Sequence, residues 1–152
     1  MDPAAAFGIT LGDAHVIRNV SGSSASRRAE QDLCKTHTET AQAGASAKDA
    51  RRSIIISEQL LGTTEILLIK YTGCGMLTFQ NEDAYSIVEK NLGAEAAQEL
   101  KSSKLDFLPF PKLEAAVEDD IKYLKGTKLV PDSVTISGWV YECETGKTRQ
   151  VV

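Results

Sequence analysis

The chain has 152 residues, of which 42% are hydrophobic, and its 17 basic and 21 acidic side chains give a net charge of −4. This length predicts a single domain spanning residues 1–152 with enough apolar surface for a core, and the charge balance argues against a nucleic-acid-binding or membrane-surface protein. No apolar run approaches the about 20 residues that cross a bilayer. The first residues lack the basic and apolar regions of a secretory signal, so we expect a cytoplasmic protein.

The three cysteines, Cys34, Cys74 and Cys143, are far apart in the sequence and form no Cys-x-x-Cys pair. An odd number of widely spaced cysteines predicts free thiols or a metal ligand in a reducing compartment, not a disulfide framework.

A polar segment interrupts the first half of the chain. Residues 21–42 have the sequence SGSSASRRAEQDLCKTHTETAQ, in which Leu33 is the single large aliphatic residue. So little apolar surface cannot offset the entropy of ordering the segment, and we expect an inserted polar loop or a frayed helix.

The first predicted elements are a strand, a helix and a second strand. Residues 15–19 form a short strand candidate. Residues 48–61 have helical apolar spacing and are followed by Gly62, a common helix stop. Residues 65–69 are mostly apolar, which is typical of a strand buried on both faces in a parallel sheet.

The second half predicts two further helices and a terminal hairpin. Asn81 is expected to cap a helix that runs to Asn91, and Pro111 to begin another that stops at Gly126. Apolar residues spaced for one face of that second helix are Leu113, Val117, Ile121 and Leu124, and the acidic residues Glu118, Asp119 and Asp120 are assigned to its solvated face. An alternating strand at 134–140 and a last strand ending at Val152 complete an α/β fold with a mostly parallel central sheet flanked by helices.

Cys74 is the first candidate functional residue. It lies between Gly73 and Gly75, just past the carboxyl end of the predicted buried strand. Ligand-binding groups gather at that end of open parallel sheets. A small buried thiol in a tight turn would give the same local pattern, so both interpretations stay open.

Four segments together resemble one family. Residues 12–19 (GDAHVIRN), 57–63 (SEQLLGT), 72–77 (TGCGML) and 138–142 (GWVYE) occur in the same order in the β-class carbonic anhydrases, most closely the small fungal and bacterial ones. The resemblance implies reversible hydration of carbon dioxide to bicarbonate at a zinc ion held by two cysteines and a histidine, in a dimeric lyase (carbonate dehydratase).

This chain departs from the family pattern at its zinc ligands. The family's Cys-x-Asp-x-Arg motif does not occur in it, and we expect that its first, central strand, between the strands of His15 and Leu67, is missing. The position of the ligand histidine is Tyr71, so Cys74 is the only zinc-ligand position that remains. The polar segment at about 21–42 also interrupts the family motif that follows Asn19.

We therefore expect zinc to be absent or substoichiometric and the chain to be inactive or very weak, with no catalytic residue assigned. One thiolate does not hold a tetrahedral zinc, and a phenol ionises near pH 10. A Cys34-x-x-His37 pair could rebuild a three-ligand site with Cys74. The other pocket candidates are Tyr71, Gly73, Gly75 and His15, with His15 expected to pack or hydrogen-bond, and Lys70 is expected to be a solvated lysine at the strand end.

Two alternatives to an active enzyme remain. The first is a non-catalytic protein, a pseudoenzyme, that forms a homodimer or a heterodimer with an intact paralogue. The second is a mis-assigned gene model of an active carbonic anhydrase, with a lost first exon and a translated intron, so that the true N-terminus is missing. Carbon dioxide and bicarbonate are the expected substrates if the chain is active, and no nucleic-acid or membrane partner is expected.

Overall fold

The computed structural model describes residues 3–10, 12–19, 22–23, 39–43 and 47–152. The helices are α1 (Pro3–Phe7), α2 (Ala47–Leu61), α3 (Asn81–Leu92), α4 (Ala94–Ser103) and α5 (Leu113–Gly126). The strands are β1 (His15–Asn19), β2 (Gly22–Ser23), β3 (Glu39–Ala43), β4 (Glu65–Tyr71), β5 (Thr135–Glu142) and β6 (Lys147–Gln150). The predicted α/β class is confirmed, and none of the helices described is long and apolar enough to cross a membrane.

The strands form two three-stranded sheets, in the orders β2-β1-β3 and β4-β5-β6. β1 pairs with β3 in parallel and with β2 antiparallel. β4 and β5 are parallel from Glu65 opposite Thr135 to Tyr71 opposite Tyr141, and β6 returns antiparallel to β5. The described sheets are therefore mixed, because each contains one parallel and one antiparallel pairing.

The expectation of a loop or frayed helix at residues 21–42 is wrong at both ends of that segment. Gly22–Ser23 forms β2, and most of β3 (Glu39–Ala43) comes from the same segment. Pairing with β1 satisfies backbone groups that would otherwise lack partners, and this outweighs the low apolar content of these residues. Residues 24–38, on which the rest of that expectation falls, lie outside the described residues.

β3 lies between β1 and β4. It is hydrogen-bonded to β1 and packs alongside β4 without joining its ladder. This is the place between the strands of His15 and Leu67 where the resemblance puts the family's first strand. A strand from the polar segment therefore lies where the sequence predicted a gap.

β4 is a buried strand at one end of the β4-β5-β6 sheet, where β3 packs alongside it. Its alternate side chains enter two apolar clusters, as expected for a strand covered on both faces. Ile66 and Leu68 pack in the cluster that includes α2 and α5, whereas Leu67 and Ile69 pack with Phe7, Trp139 and Tyr141. The rings of Phe7 and Trp139 meet edge to face, with centroids 5.3 Å apart.

Most predicted elements are confirmed, with shifts at their ends. The predicted strands at 15–19, 65–69 and 134–140 and the helix at 48–61 match β1, β4, β5 and α2. The predicted caps are wrong: Gln80 caps α3 through a reciprocal box with Asp83, and α5 begins after Lys112 instead of at Pro111. Asn81 is the first helical residue, and its side chain binds the loop at 106–107 instead. Helices α1 and α4 were not predicted from the sequence.

Gly138 determines how closely β5 packs against α5. A Cβ atom at this position would overlap Val117 Cγ1 and Ile121 Cδ1, which belong to buried side chains of α5. The strand and the helix therefore pack at a distance that only glycine permits.

We expect Gly138→Ala to destabilise the fold by about 1–3 kcal/mol, because the added methyl must displace two buried side chains. Urea unfolding followed by circular dichroism measures the effect. Gly126→Ala is the matched control, since a Cβ there meets no atom within 4 Å, and it should be neutral or slightly stabilising. Equal stability of the two variants would contradict the close packing.

Glu58 is a buried carboxyl group on the inner face of α2, one turn after Ile54. Its residue is only 7% exposed, and neither carboxylate oxygen has a hydrogen-bond partner among the described residues. Burial raises the pKa of Glu58 to about 7. The folded state therefore favours the protonated carboxyl more strongly than the unfolded chain does.

This raised pKa predicts that stability falls as pH rises. The contribution of Glu58 is fully present below its unfolded pKa of about 4.5 and is lost as pH rises through about 7. We expect the free energy of unfolding to fall by about 1–3 kcal/mol between about pH 5 and about pH 8, and Glu58→Gln to remove that part of the slope. Urea unfolding at a series of pH values tests this, with exposed Glu99→Gln as the control. A slope unchanged in Glu58→Gln would contradict the assignment.

Candidate functional site

The candidate site is the turn that follows β4. β4 ends at Tyr71, and Cys74 precedes a 3-10 turn over Gly75–Leu77. Gly73 has a φ of +71°, which favours glycine, and the Leu77 N–H donates to the Cys74 carbonyl at 3.1 Å. These constraints hold the Cys74 side chain in the interior, where it is 1% exposed.

The end of β5 is tied to this turn. The Thr72 N–H donates to the Tyr141 carbonyl at 3.0 Å, and the Cys143 N–H donates to Thr72 Oγ1 at 3.0 Å. Cys143 is exposed, whereas Cys74 is buried. Tyr71, Cys74 and Cys143 therefore lie close together at the carboxyl ends of β4 and β5.

Tyr71, at the end of β4, has a phenol pKa that the turn alters. Burial of Tyr71, its side-chain hydrogen bond with Cys74 and the charges of the Cys74 and Cys143 sulfurs raise the pKa of its phenol to about 12. The hydroxyl consequently keeps its proton at neutral pH. A protonated phenol is a weak donor to a metal ion, unlike a neutral imidazole.

The described residues do not fit a protein-bound zinc. Within the described ranges, no three His, Cys, Asp or Glu side chains form a group that could hold a metal. Cys74 has Tyr71 as a neighbour in place of the expected histidine, so it offers one thiol where catalytic zinc needs three protein ligands. Cys34 and His37, the possible replacement ligands, lie outside the described residues.

His15 is placed against α2. Its Nδ1 lies 3.1 Å from Ser57 Oγ, and Ser57 Oγ lies 2.6 Å from Thr63 Oγ1. This chain of contacts joins the start of β1 to the end of α2. In this position His15 acts as a hydrogen-bonding residue between two elements.

Two charged residues were misassigned from the sequence. Lys70, expected to be solvated, is 1% exposed, and Asp120, assigned to a wet helix face, is 6% exposed. Lys70 Nζ lies 2.9 Å from Asp120 Oδ2 and 4.5 Å from the centre of the Phe110 ring. Asp120 Oδ1 also accepts a hydrogen bond from the Ala47 N–H at 2.9 Å.

Pairing explains this burial, because each charge compensates the desolvation of the other. The spacing of buried residues along each element indicates that both positions are buried, although lysine and aspartate are usually assigned to the surface. Lys70 continues the alternation of Ile66 and Leu68 along β4, and Asp120 lies three residues after buried Val117 on α5.

Comparison with known proteins identifies the family, although no family model matches the chain. The solved structure of a carbonic anhydrase from Streptococcus mutans is 34% identical with a TM-score of 0.74, over 100% of this chain and 75% of that one. β-Carbonic anhydrase 1 of Mycobacterium tuberculosis is 28% identical over 145 residues, which cover 95% of this chain and 71% of that protein.

A carbon disulfide hydrolase from Saccharolobus solfataricus is 31% identical over 163 aligned positions, covering 95% of this chain and 69% of the hydrolase. The structural match extends over all the elements that surround Cys74. On these similarities, the chain belongs to the β-class carbonic anhydrase family.

Proposed function

We propose that this polypeptide is a non-catalytic β-carbonic anhydrase homologue that does not hold the family's zinc ion. The observation that carries the proposal is Tyr71, which stands where the resemblance predicts the ligand histidine and whose phenol pKa is raised to about 12, mainly by burial. A phenol that keeps its proton therefore stands three residues before Cys74, in place of the second ligand of the expected set.

Zinc chemistry explains why this change is decisive. A catalytic zinc lowers the pKa of its bound water when three protein ligands hold it and a fourth position is open. Exchanging an imidazole for a protonated phenol removes one ligand. The change that removes the ligand is at Tyr71, which lies within the described residues.

We infer that the protein acts by association, as a homodimer or with an intact paralogue. Large apolar side chains on two helices support this inference, since Leu60 of α2 is 73% exposed and Leu92 of α3 is 72% exposed. Such side chains are candidates for burial in an interface. Sedimentation velocity, alone and with an active paralogue, would test it, and a monomer under both conditions would contradict it.

Zinc content tests the loss of the metal site. After incubation with zinc and dialysis, we expect far less than one zinc per chain by mass spectrometry of the metal, and no difference between the parent and Cys74→Ser. Near-stoichiometric zinc that is lost in Cys74→Ser would contradict the proposal. That result would implicate ligands beyond the described residues, with Cys34 and His37 the first to substitute.

Restoring the histidine alone should not restore catalysis. Tyr71→His supplies a second ligand beside Cys74, but the third ligand and its Asp–Arg companions are still absent from the chain. We expect background rates for Tyr71→His and for the control Tyr71→Phe in stopped-flow hydration of carbon dioxide. Carbon disulfide is a second substrate for the assay, because relatives include carbon disulfide hydrolases.

A fuller repair should restore zinc binding and turnover together. It combines Tyr71→His with deletion of residues 21–42 and an added amino-terminal strand ending in Cys-x-Asp-x-Arg. The deletion removes most of β3, which lies at the place that the added strand must take. Fast zinc-dependent turnover by Tyr71→His alone would overturn the proposal.

A further inference from the structure

Cys143 follows β5 at the point where the chain passes the turn that holds Cys74. β4 and β5 are paired up to Tyr71 opposite Tyr141, and the same register places Cys143 opposite Gly73. Cys74 is the next residue after Gly73. The end of β5 therefore brings a second cysteine beside the Cys74 turn.

Thr72 keeps the two chain segments together beyond the paired residues. Its N–H donates to the Tyr141 carbonyl at 3.0 Å, and its Oγ1 accepts a hydrogen bond from the Cys143 N–H at 3.0 Å. In a continued parallel ladder, the Cys143 N–H would donate to the Thr72 carbonyl. The side-chain oxygen of Thr72 thus replaces that carbonyl and holds Cys143 near its ladder position.

The spacing of strands places the two cysteines at the separation of a disulfide. Neighbouring strands lie about 4.8 Å apart, and successive Cα atoms about 3.8 Å apart. A step from Gly73 to Cys74 along the strand, or out of the plane of the sheet, is perpendicular to the strand spacing. This geometry gives about 6 Å between the Cα atoms of Cys74 and Cys143, within the about 4.4–6.8 Å of disulfide-bonded cysteines.

The two thiols differ in their access to solvent. Cys143 is exposed, whereas Cys74 is buried. Besides burial, the charges of both sulfurs raise the pKa of the Tyr71 phenol, so both sulfurs lie near the same side chain. An oxidant in solution therefore reaches Cys143 first, with Cys74 close by to react with the product.

We propose that Cys74 and Cys143 form a reversible disulfide when the protein meets a hydroperoxide. The Cys143 thiolate attacks the terminal oxygen of the hydroperoxide, the O–O bond breaks, and a sulfenic acid forms as the other oxygen leaves and is protonated. The Cys74 thiolate then attacks the sulfenic sulfur, the S–S bond forms, and hydroxide leaves and is protonated to water. With hydrogen peroxide, two thiols give one disulfide and two waters, and two electrons pass from sulfur to oxygen.

This bond would join the ends of β4 and β5 and occupy the thiol at the zinc-ligand position that the resemblance assigns to Cys74. It closes a loop of about 70 residues, which restricts the unfolded chain. A transient disulfide formed by an oxidant is compatible with a reducing compartment. The inference rests on the two strand ends and not on the function proposed above.

Peptide mapping of the full chain detects the bond. Cys34→Ser serves as the background, because it removes the third cysteine. After hydrogen peroxide and N-ethylmaleimide, trypsin should release peptides 71–90 and 129–147 linked together with the loss of two hydrogen atoms. Dithiothreitol should separate them. The melting temperature should rise by about 5–15 °C on oxidation and return on reduction.

Substitutions separate the roles of the two cysteines. In Cys74→Ser, dimedone should trap Cys143 as a sulfenic acid, and no linked peptides should form. In Cys143→Ser, buried Cys74 should react with peroxide at least about tenfold more slowly than Cys143 does. Thr72→Val should slow disulfide formation severalfold, whereas Thr72→Ser keeps the hydroxyl and should preserve the rate. Circular dichroism identifies any variant that fails to fold, and the peptide map of the background protein decides the question without it.

Three results would overturn the proposal. The first is oxidation of Cys143 to the sulfinic acid while Cys74 remains a thiol. The second is linkage of the two peptides only between chains, seen as a dimer on a non-reducing gel. The third is linkage as fast in urea-unfolded protein as in folded protein, because the fold would then contribute nothing to the reaction.

Discussion

The buried ion pair between Lys70 and Asp120 holds β4, α5 and α2 together, and the rest of the structure depends on this contact. One carboxylate oxygen binds the lysine of β4, and the other accepts the Ala47 N–H at the start of α2. Because the carboxylate belongs to α5, a single side chain links that helix to β4 and to α2. Removing one partner of such a pair leaves a buried charge and costs about 3–5 kcal/mol, so the orientation of β4, α2 and α5 is strongly coupled.

The second constraint is the place between β1 and β4. Backbone groups of two neighbouring strands face each other across it, and a strand must lie there or the groups must find other partners. In this chain β3 lies there, paired with β1 and packed against β4. A polar sequence can take such a position because the hydrogen bonds of a strand come from its backbone.

Prediction of the fold from the sequence succeeded where local pattern determines structure. The apolar run at 65–69 predicted a strand buried on both faces, and the spacing at 48–61 predicted α2. It failed where the deciding contact is distant in sequence. Pairing with β1 formed β3, and Asp120 stabilised a buried Lys70 that composition alone assigns to the surface. For the site, the tyrosine at the expected histidine position was visible in the sequence, but the raised pKa of the Tyr71 phenol required the structure.

The short strand β6 has a consequence for how copies of this chain can assemble. It forms the outer edge of the β4-β5-β6 sheet, and its four residues include Lys147 and Arg149. Arg149 is held by ion pairs with Glu114 and Glu142. A short edge strand that carries cations resists pairing with a strand from another molecule. Growth of this sheet by edge-to-edge addition at β6, the route to fibrillar aggregates, is therefore disfavoured.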